Sequence, residues 1–437
     1  MGLGKLGLCM AAVFAHRGFE VAGVDDDISK VRSINERVSP IYEPRLQQFI
    51  KSSGNRLSAT TEYESAVANS DTTFVVVPTP SNRSGGFSLK CVKPAMQRVG
   101  EILSRKDQYH LLVLTSTVMP GTMDQAVRPT VEKSSGKICG KDFGLCYNPE
   151  FVALGDVING LLEPDLVLIG ESDSCAGEVL SGIYNHVCLY SPPIERMNFI
   201  NAEIAKIAVN SFVTTKMSFA NTLAEICEKL PGADVDRITT AIGRDKRIGP
   251  AYLKGALGYG GPCFPRDNMA FAYFAERLGA QADLARVTHK VNLRQVKRII
   301  ALLEGEGLRP PMKMGILGLT YKPNTNVVEA SQSLMLAQAL SGQGFEVHVY
   351  DPVATDNVRC VLGSALKYEA TTEDCIAKSD LCIVATPWKD FSKIDKTLFE
   401  GKIVLDCWRI LGKDEIQKAT KYIALGIGRG SVKSRKA

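Results

Sequence analysis

Gly2-Leu3-Gly4-Lys5-Leu6-Gly7 opens a helix-like stretch that ends near Arg17, and the strand-like Glu20-Val21-Ala22-Gly23-Val24 follows Gly18 and closes on Asp25. The spacing is Gly-x-Gly-x-x-Gly with an acid 18 residues after the third glycine. In such a turn the first glycine permits a tight bend, the second lets backbone approach a pyrophosphate, and the third lets helix pack closely on strand. The helix N-terminus faces the phosphates, and the acid accepts from the adenosine ribose hydroxyls. The stretch therefore predicts a Rossmann-type unit holding a dinucleotide, and Asp25 without a neighbouring Arg selects NAD over NADP. A strand should precede the first glycine, central and buried on both faces. Either another segment fills the gap or, as we expect, the native protein begins a few residues upstream of Met1. N-terminal mass analysis tests this, and a mature chain starting at Met1 or Gly2 refutes it. Lys5 with the apolar run Leu6 to Ala15 has the outline of a secretory signal, but no small-x-small cleavage site follows.

Buried-strand runs recur downstream. Asp71 to Val77 ends in Pro78-Thr79-Pro80, Leu111 to Thr117 ends in a polar loop with Pro120-Gly121, and Leu166 to Ile169 is closed by Gly170. Alternation of such runs with helical segments predicts a parallel α/β sheet, whose strand C-terminal ends place Thr79 and Thr117 where ligands bind. From Asn201 to about Lys229 the sequence lacks Pro and Gly and predicts one long helix. A glycine-rich stretch, Gly243 to Pro265, precedes helices at 268–278 and 287–303, and Pro310-Pro311 marks a linker. The opening pattern then returns: Met314 to Gly318 begins a strand–turn–helix, Gly344-Phe345-Glu346-Val347 through Asp351 echoes Gly18 through Asp25, and Asp380 through Thr386-Pro387 echoes Asp71 through Thr79-Pro80. The fold class is thus α/β, with two Rossmann-like doubly wound parallel-sheet domains joined by a central helical segment with one long helix. The segments expected are 1–198 (NAD-binding, its first strand absent), 199–305 (helical, with the Cys263 loop), 312–427 (Rossmann-like) and a basic tail, 428–437. The second Rossmann-like domain lacks a full glycine fingerprint, so it binds something other than a dinucleotide pyrophosphate.

Composition narrows the function class. The 437 residues are 45% hydrophobic and 23% charged with mean hydropathy −0.01, which excludes a disordered chain, a collagen-like repeat and a polytopic membrane protein. Four of the five net positive charges (Arg429, Lys433, Arg435 and Lys436) sit in the last ten residues, so the body is nearly neutral and gives no case for nucleic-acid or membrane binding. Twelve cysteines without a Cys-x-x-Cys pair, and five scattered His, fit reduced cytoplasmic thiols rather than a disulfide scaffold or a metal site.

Three constellations carry chemistry. In Gly258-Tyr259-Gly260-Gly261-Pro262-Cys263-Phe264-Pro265-Arg266-Asp267, a cysteine precedes a helix, near backbone N–H groups, a helix dipole and Arg266, all of which favour thiolate. Asp267 is placed to orient or activate water. The alternative is a small buried cysteine beside a structural turn. Lys206 and Asn210 share a helical face at i, i+4 among apolar neighbours, as an exposed stripe or a buried polar pair. Asn148-Pro149-Glu150 sets a carboxylate after a strand, as a functional acid or a turn residue.

Together with Ser39 to Pro44, Ser116 to Thr122, Asp245 to Gly249 and Gly318 to Asn324, these motifs resemble the nucleotide-sugar dehydrogenases of the UDP-glucose/GDP-mannose dehydrogenase family over nearly the whole chain. The resemblance implies oxidation of a sugar C6 alcohol to a carboxylate with two NAD⁺ and no metal. By it, Cys263 is the nucleophile that carries a thiohemiacetal and then a thioester; Lys206 and Asn210 stabilise the developing oxyanion; and Asp267, Thr117 and Glu150 manage protons through a bound water. Leu6, Asp25, Lys30, Thr79, Thr117, Glu150 and Arg266 correspond to cofactor contacts, alongside Gly2, Gly4 and Gly7. The implied nucleotide-sugar contacts are Glu150, Lys206, Asn210, Tyr252, Leu253, Lys254, Gly255, Ala256, Gly260 and Lys322, with Arg247 lent across a homodimer built on the long helix.

The chain departs from the family pattern in places. Thr325-Asn326-Val327-Val328-Glu329 stands where Asp-Asp-x-Arg-Glu is usual, putting Val328 in place of an arginine that contacts NAD; Arg45 stands where glycine is common, and Arg266 replaces lysine. Asp245 to Gly249 and Gly258 to Gly261 lean toward UDP-glucose as substrate. GDP-mannose or a UDP-N-acetylhexosamine is the alternative, and a nucleotide-sugar-binding protein with impaired turnover is another.

Overall fold

The computed structural model describes every residue except 83, 413–415, 417 and 430–437, so most of the basic tail lies outside the described residues. The chain divides into two compact units, Met1–Val209 and Asn210–Ala437.

In the first unit the opening glycines lead into α1 (Lys5–His16), then β1 (Val21–Val24), α2 (Ile28–Asn35), α3 (Leu46–Ser52), β2 (Leu57–Thr60), α4 (Tyr63–Ala68) and β3 (Thr72–Val75). There follow α5 (Val92–Leu103), β4 (Leu111–Leu114), α6 (Arg128–Ser135), β5 (Gly144–Tyr147), α7 (Val157–Leu162), β6 (Val167–Glu171), α8 (Ser174–Val187) and β7 (Ile194–Met197). Strands β4 and β5 are buried throughout, as expected of strands covered on both faces. Hydrogen bonding groups the strands as a β1–β2 pair and a sheet of order β3-β4-β5-β6-β7. Met1 and Gly2 touch both groups: the Met1 ammonium donates to the Phe74 carbonyl at 2.7 Å, Val76 N–H donates to the Met1 carbonyl, and Gly2 N–H donates to the Val24 carbonyl, each at 2.8 Å. The pairs are parallel except β5–β6, which is antiparallel and so departs from the all-parallel expectation. Arg45, at the glycine-like position, has φ +67°, a left-handed backbone in which glycine is at ease.

Helix α9 (Phe199–Glu228) is the long helix the sequence predicts; its first turns to Val209 belong to the first unit and the remainder to the second. The second unit continues with α10 (Val235–Gly243), α11 (Phe264–Arg277) and α12 (Asp283–Gly305), then β8 (Lys313–Leu317), α13 (Gln332–Gly342), β9 (Glu346–Tyr350) and α14 (Thr355–Leu362). It closes with β10 (Lys367–Tyr368), α15 (Thr372–Ala377), β11 (Leu381–Val384), β12 (Ile403–Asp406) and β13 (Lys421–Ala424). The sheet is wholly parallel, order β10-β9-β8-β11-β12-β13. Its core joins Ile316, Val349, Ile383 and Leu405 from the strands to Ile299 and Leu303 of α12 and Leu336 and Leu340 of α13. Of the tail, Arg429 is described and pairs with Glu306. Among the described residues no helix is long and apolar enough to cross a membrane.

Candidate active site

The opening turn has the geometry its spacing predicts. Gly2 has φ +89°, and a Cβ there would overlap the Val76 carbonyl oxygen. A Cβ on Gly7 would overlap the Gly2 carbonyl oxygen, so α1 packs as closely on the turn as a bare backbone allows. Gly4 is different, with no atom within 4 Å of where its Cβ would stand. It is the N-cap of α1 and gives the helix no side-chain cap, which suits that helix end to an anion. At the end of β1, Asp25 accepts from Leu3 N–H at 2.8 Å and Asp27 N–H at 3.0 Å, with the Lys30 ammonium at 3.4 Å. Three donors leave a carboxylate room for another, the ribose hydroxyl of a dinucleotide. This turn fits NAD. Leu6 lies half-buried on α1 against the core that α1, α3 and α7 share.

The loops beyond β3 and β4 are tied together: Thr79 Oγ1 donates to the Thr117 carbonyl at 2.8 Å and Ser116 Oγ to the Val77 carbonyl at 2.6 Å. Beyond β5, Glu150 is half-buried, and its Oε1 lies 2.5 Å from the Tyr184 hydroxyl. Burial raises the Glu150 carboxyl above the ordinary carboxylate range, against the opposing pull of the Tyr184 hydrogen bond and the Lys206 charge. The Lys206 ammonium, 6% exposed, donates to the Glu150 backbone carbonyl at 2.5 Å and stands 4.5 Å over the Phe151 ring. Lys206 is thus a buried polar residue rather than part of an exposed stripe. The first unit thereby gathers Thr79, Thr117, Glu150 and Lys206 at or beside the C-terminal ends of β3, β4 and β5.

The second unit gathers Asn210, Cys263, Arg266 and Asp267. Cys263 is exposed and is the N-cap of α11, at the positive end of that helix's dipole. This position departs from the buried-cysteine alternative. Asp267 is fully buried in the first turn of α11; its Oδ2 accepts from Asn210 Nδ2 at 2.6 Å and its Oδ1 from Arg266 Nε at 3.2 Å. The glycine loop ahead of Cys263 is held by two asparagines: Tyr259 N–H donates to Asn292 Oδ1 at 2.7 Å, and Ala256 N–H to Asn221 Oδ1 at 2.8 Å. A Cβ on Gly255 would stand 2.5 Å from the Ala220 carbonyl oxygen, and one on Gly260 would overlap the Ala330 carbonyl oxygen. In the same stretch Tyr252 is exposed with φ +63°, Leu253 is buried, and Lys254 pairs with Asp236 at 3.3 Å. Arg247 is exposed and pairs with Asp245 at 2.6 Å. Lys322 is half-buried in the loop between β8 and α13. None of the twelve cysteines is in a disulfide, and among the described residues no group of three or more His, Cys, Asp or Glu is placed to hold a metal.

Three consecutive segments match models of one family: residues 1–188 its NAD binding domain, 200–294 its central domain and 315–413 its UDP binding domain. The chain belongs to the UDP-glucose/GDP-mannose dehydrogenase family. UDP-glucose 6-dehydrogenase AglM of Haloferax volcanii is 36% identical over 420 residues, spanning 95% of this chain and 97% of the relative. GDP-mannose 6-dehydrogenase of Pseudomonas putida is 33% identical over 354 residues, spanning 80% and 79%. A solved UDP-glucose dehydrogenase from Pyrobaculum islandicum superposes with TM-score 0.90 at 33% identity, covering 98% of this chain and 96% of that one.

As a UDP-glucose/GDP-mannose dehydrogenase, the chain is an NAD-dependent nucleotide-sugar oxidoreductase. Val328 packs against the core of the second unit. Sequence reasoning passed over two buried carboxylates that shape these loops. Glu43 accepts from Gly155 and Val157 N–H at 2.9 and 3.0 Å, beyond Glu150. Glu203 accepts from Gly121 and Met123 N–H at 2.6 and 2.8 Å, beyond Thr117, and burial pushes its carboxyl up to about 7. It also passed over Tyr184 of α8, which the spacing of the Glu150 motif does not signal.

Proposed function

We propose that this chain oxidises the C6 alcohol of UDP-glucose to the carboxylate of UDP-glucuronate. The observation that carries the reading is Cys263 at the exposed N-cap of α11, one turn ahead of a buried Asp267 that Asn210 and Arg266 hold in place. The Gly2–Gly7 turn and Asp25, with further contacts from Leu6, Lys30, Thr79, Thr117, Glu150 and Arg266, would hold NAD, which would supply the hydride acceptor for the two oxidations. This chain's residues do the rest. A base, Glu150 or Asp267 acting through water, takes the alcohol proton as the aldehyde forms. The Cys263 thiolate adds to that aldehyde, giving a tetrahedral thiohemiacetal whose carbon still bears a hydrogen; its oxidation leaves a thioester. Lys206 and Asn210, one turn apart on α9, are a cation and an amide donor suited to the oxyanion of each tetrahedral stage. Water activated by Asp267, with Thr117 and Glu150, hydrolyses the thioester and frees the thiol.

The nucleotide-sugar contacts in this reading are Tyr252 to Ala256, Gly260 and Lys322, with Arg247 supplied by a second copy. A homodimer through α9 is supported by Phe212, Phe219 and Ile226, which lie seven residues apart and stay 64%, 54% and 48% exposed, a stripe on one helical face. The segments 1–198, 199–305 and 312–427 are our NAD-binding, dimerising and nucleotide-sugar-binding domains, and cysteines outside disulfides support a cytoplasmic enzyme.

A panel of nucleotide sugars assayed for NADH tests the substrate. Two NADH per UDP-glucose are expected; the same ratio on GDP-mannose or a UDP-N-acetylhexosamine alone would replace the substrate, and no turnover by folded protein would overturn the reading. Cys263→Ser should stop production of the sugar acid, and undiminished acid would remove Cys263 from the mechanism.

A further inference from the structure

Tyr184 is 1% exposed, and its hydroxyl lies 2.5 Å from Glu150 Oε1 and 2.6 Å from Asn148 Oδ1. A phenol has one hydrogen and so donates to one of these at a time. The Asn148 amide is oriented by its Nδ2, which donates to the Leu168 carbonyl at 3.0 Å, so its oxygen faces Tyr184 and only accepts. Both contacts are hydrogen bonds at once in a single arrangement: Tyr184 donates to Asn148, and a neutral Glu150 carboxylic acid donates to the Tyr184 oxygen. When Glu150 gives up its proton, the phenol hydrogen must turn to Oε1, and the buried Asn148 oxygen loses its donor.

We propose that Tyr184 and Asn148 form a one-hydrogen switch that positions Glu150's proton, Asn148 favouring the neutral acid and Tyr184 the carboxylate. The inference rests on the reading of Glu150 as a proton-handling residue. Among the described residues the other titratable groups that act on Glu150 are Cys188, just past the end of α8, and Lys206 of α9, whose ammonium is engaged by the Glu150 backbone carbonyl. The electrostatics agree, since burial favours the neutral Glu150 carboxyl while the Tyr184 hydrogen bond opposes it. No proton leaves the cluster when the phenol turns. The proton lost on ionisation is Glu150's own, and it passes to water or substrate.

Opposite shifts distinguish a switch from simple packing. In Tyr184→Phe the carboxylate loses its donor, so Glu150 should ionise at higher pH. In Asn148→Ala the competing acceptor is gone and the phenol is free for the carboxylate, so Glu150 should ionise at lower pH. Infrared difference titration of the carboxyl stretch in the unliganded protein, with Glu150→Gln to assign the band, reads this directly. Shifts in the same direction, or none, would overturn the proposal. If Asn148→Ala does not fold, Tyr184→Phe alone decides, and a titration that stays put or moves to lower pH refutes the switch. The pH profile of kcat on UDP-glucose should move with the infrared midpoint. Infrared shifts as expected with a Glu150→Gln enzyme of undiminished kcat would uphold the switch and overturn the catalytic reading of Glu150 instead.

Discussion

The glycines at 4 and 7, three residues apart, have different roles, and substituting each by alanine should separate cofactor binding from folding. Gly7 lies inside α1, where alanine is favoured over glycine by about 1 kcal/mol. That gain is opposed by a Cβ that overlaps the Gly2 carbonyl oxygen and comes within 3.4 Å of Val76 Cβ. The obstacle is backbone, which cannot swing aside as a side-chain end does, and overpacking of this kind costs about 1–3 kcal/mol, more where the chain cannot shift. With the Cβ overlapping that oxygen the cost belongs in the upper part of this range, so Gly7→Ala should lose about 1–2 kcal/mol of stability net of the helix term. Gly4 has φ −72° and ψ −168°, a backbone any residue adopts, and nothing near its Cβ position. Gly4→Ala should lose under about 1 kcal/mol, the scale of an N-cap change. Its added methyl occupies the approach of a pyrophosphate to the N–H groups of α1, so NAD binding should weaken by about tenfold to a hundredfold, or 1.4–2.8 kcal/mol. Denaturant unfolding without ligand and calorimetric titration with NAD⁺ measure the two quantities separately. A Gly4→Ala protein that binds NAD⁺ like wild type, or a Gly7→Ala protein as stable as Gly4→Ala, would refute this account of the turn.

His110 is 1% exposed between Thr73 and the Lys106 ammonium, and burial, followed by the Lys106 charge, lowers its pKa to about 4 from 6.5. Between those values the unfolded chain binds the extra proton, so stability should fall as pH drops from 6.5 toward 4, by about 3 kcal/mol in all. Denaturant midpoints of wild type and His110→Gln across that range test this, and equal slopes would refute it. Arg298 and Glu228 pair at 2.9 Å at 8% and 9% exposure, and Glu228 also accepts from Gly426 N–H. Arg298→Met should cost about 3–5 kcal/mol by stranding a buried carboxylate, and Arg298→Met with Glu228→Leu should cost less, a comparison thermal unfolding makes.

The cofactor turn and the long helix were legible because their signals are local. Glycine spacing encodes a backbone shape, and thirty residues free of Pro and Gly encode α9. The antiparallel β5–β6 pair was not, since a short run such as Val167–Glu171 states burial but not direction. Glu43 and Glu203 act on N–H groups 112 and 82 residues away, and Tyr184 meets Glu150 across 34 residues. No periodicity carries such pairings, because they follow from where helices cross strand ends. Val328 was legible only as a missing arginine, whereas its packing against the core of the second unit carries no signal in the sequence.

The repeated Gly-to-Asp pattern explains why the two halves differ in what they hold. Gly318 repeats Gly2 with the same φ, +89°, and donates to the Tyr350 carbonyl at 2.8 Å as Gly2 does to that of Val24. The acids that follow diverge. Asp351 is 3% exposed and takes five donors: Leu319 N–H, both Thr320 donors, Val353 N–H and Ala354 N–H. Asp25 takes two backbone donors beside Lys30 and keeps acceptor capacity. The helices diverge as well, because Ser331 caps α13 by accepting from Leu334 N–H, while Gly4 leaves α1 without a side-chain cap. A dinucleotide needs both an open helix N-terminus and an acid with a lone pair to spare. The second half has neither at this turn, because the Ser331 side chain caps its helix and five donors of its own chain fill the acid, and its ligand contacts have to come from elsewhere. The loop between β8 and α13, which carries Lys322, is the segment that separates the second turn from its helix where the first has none.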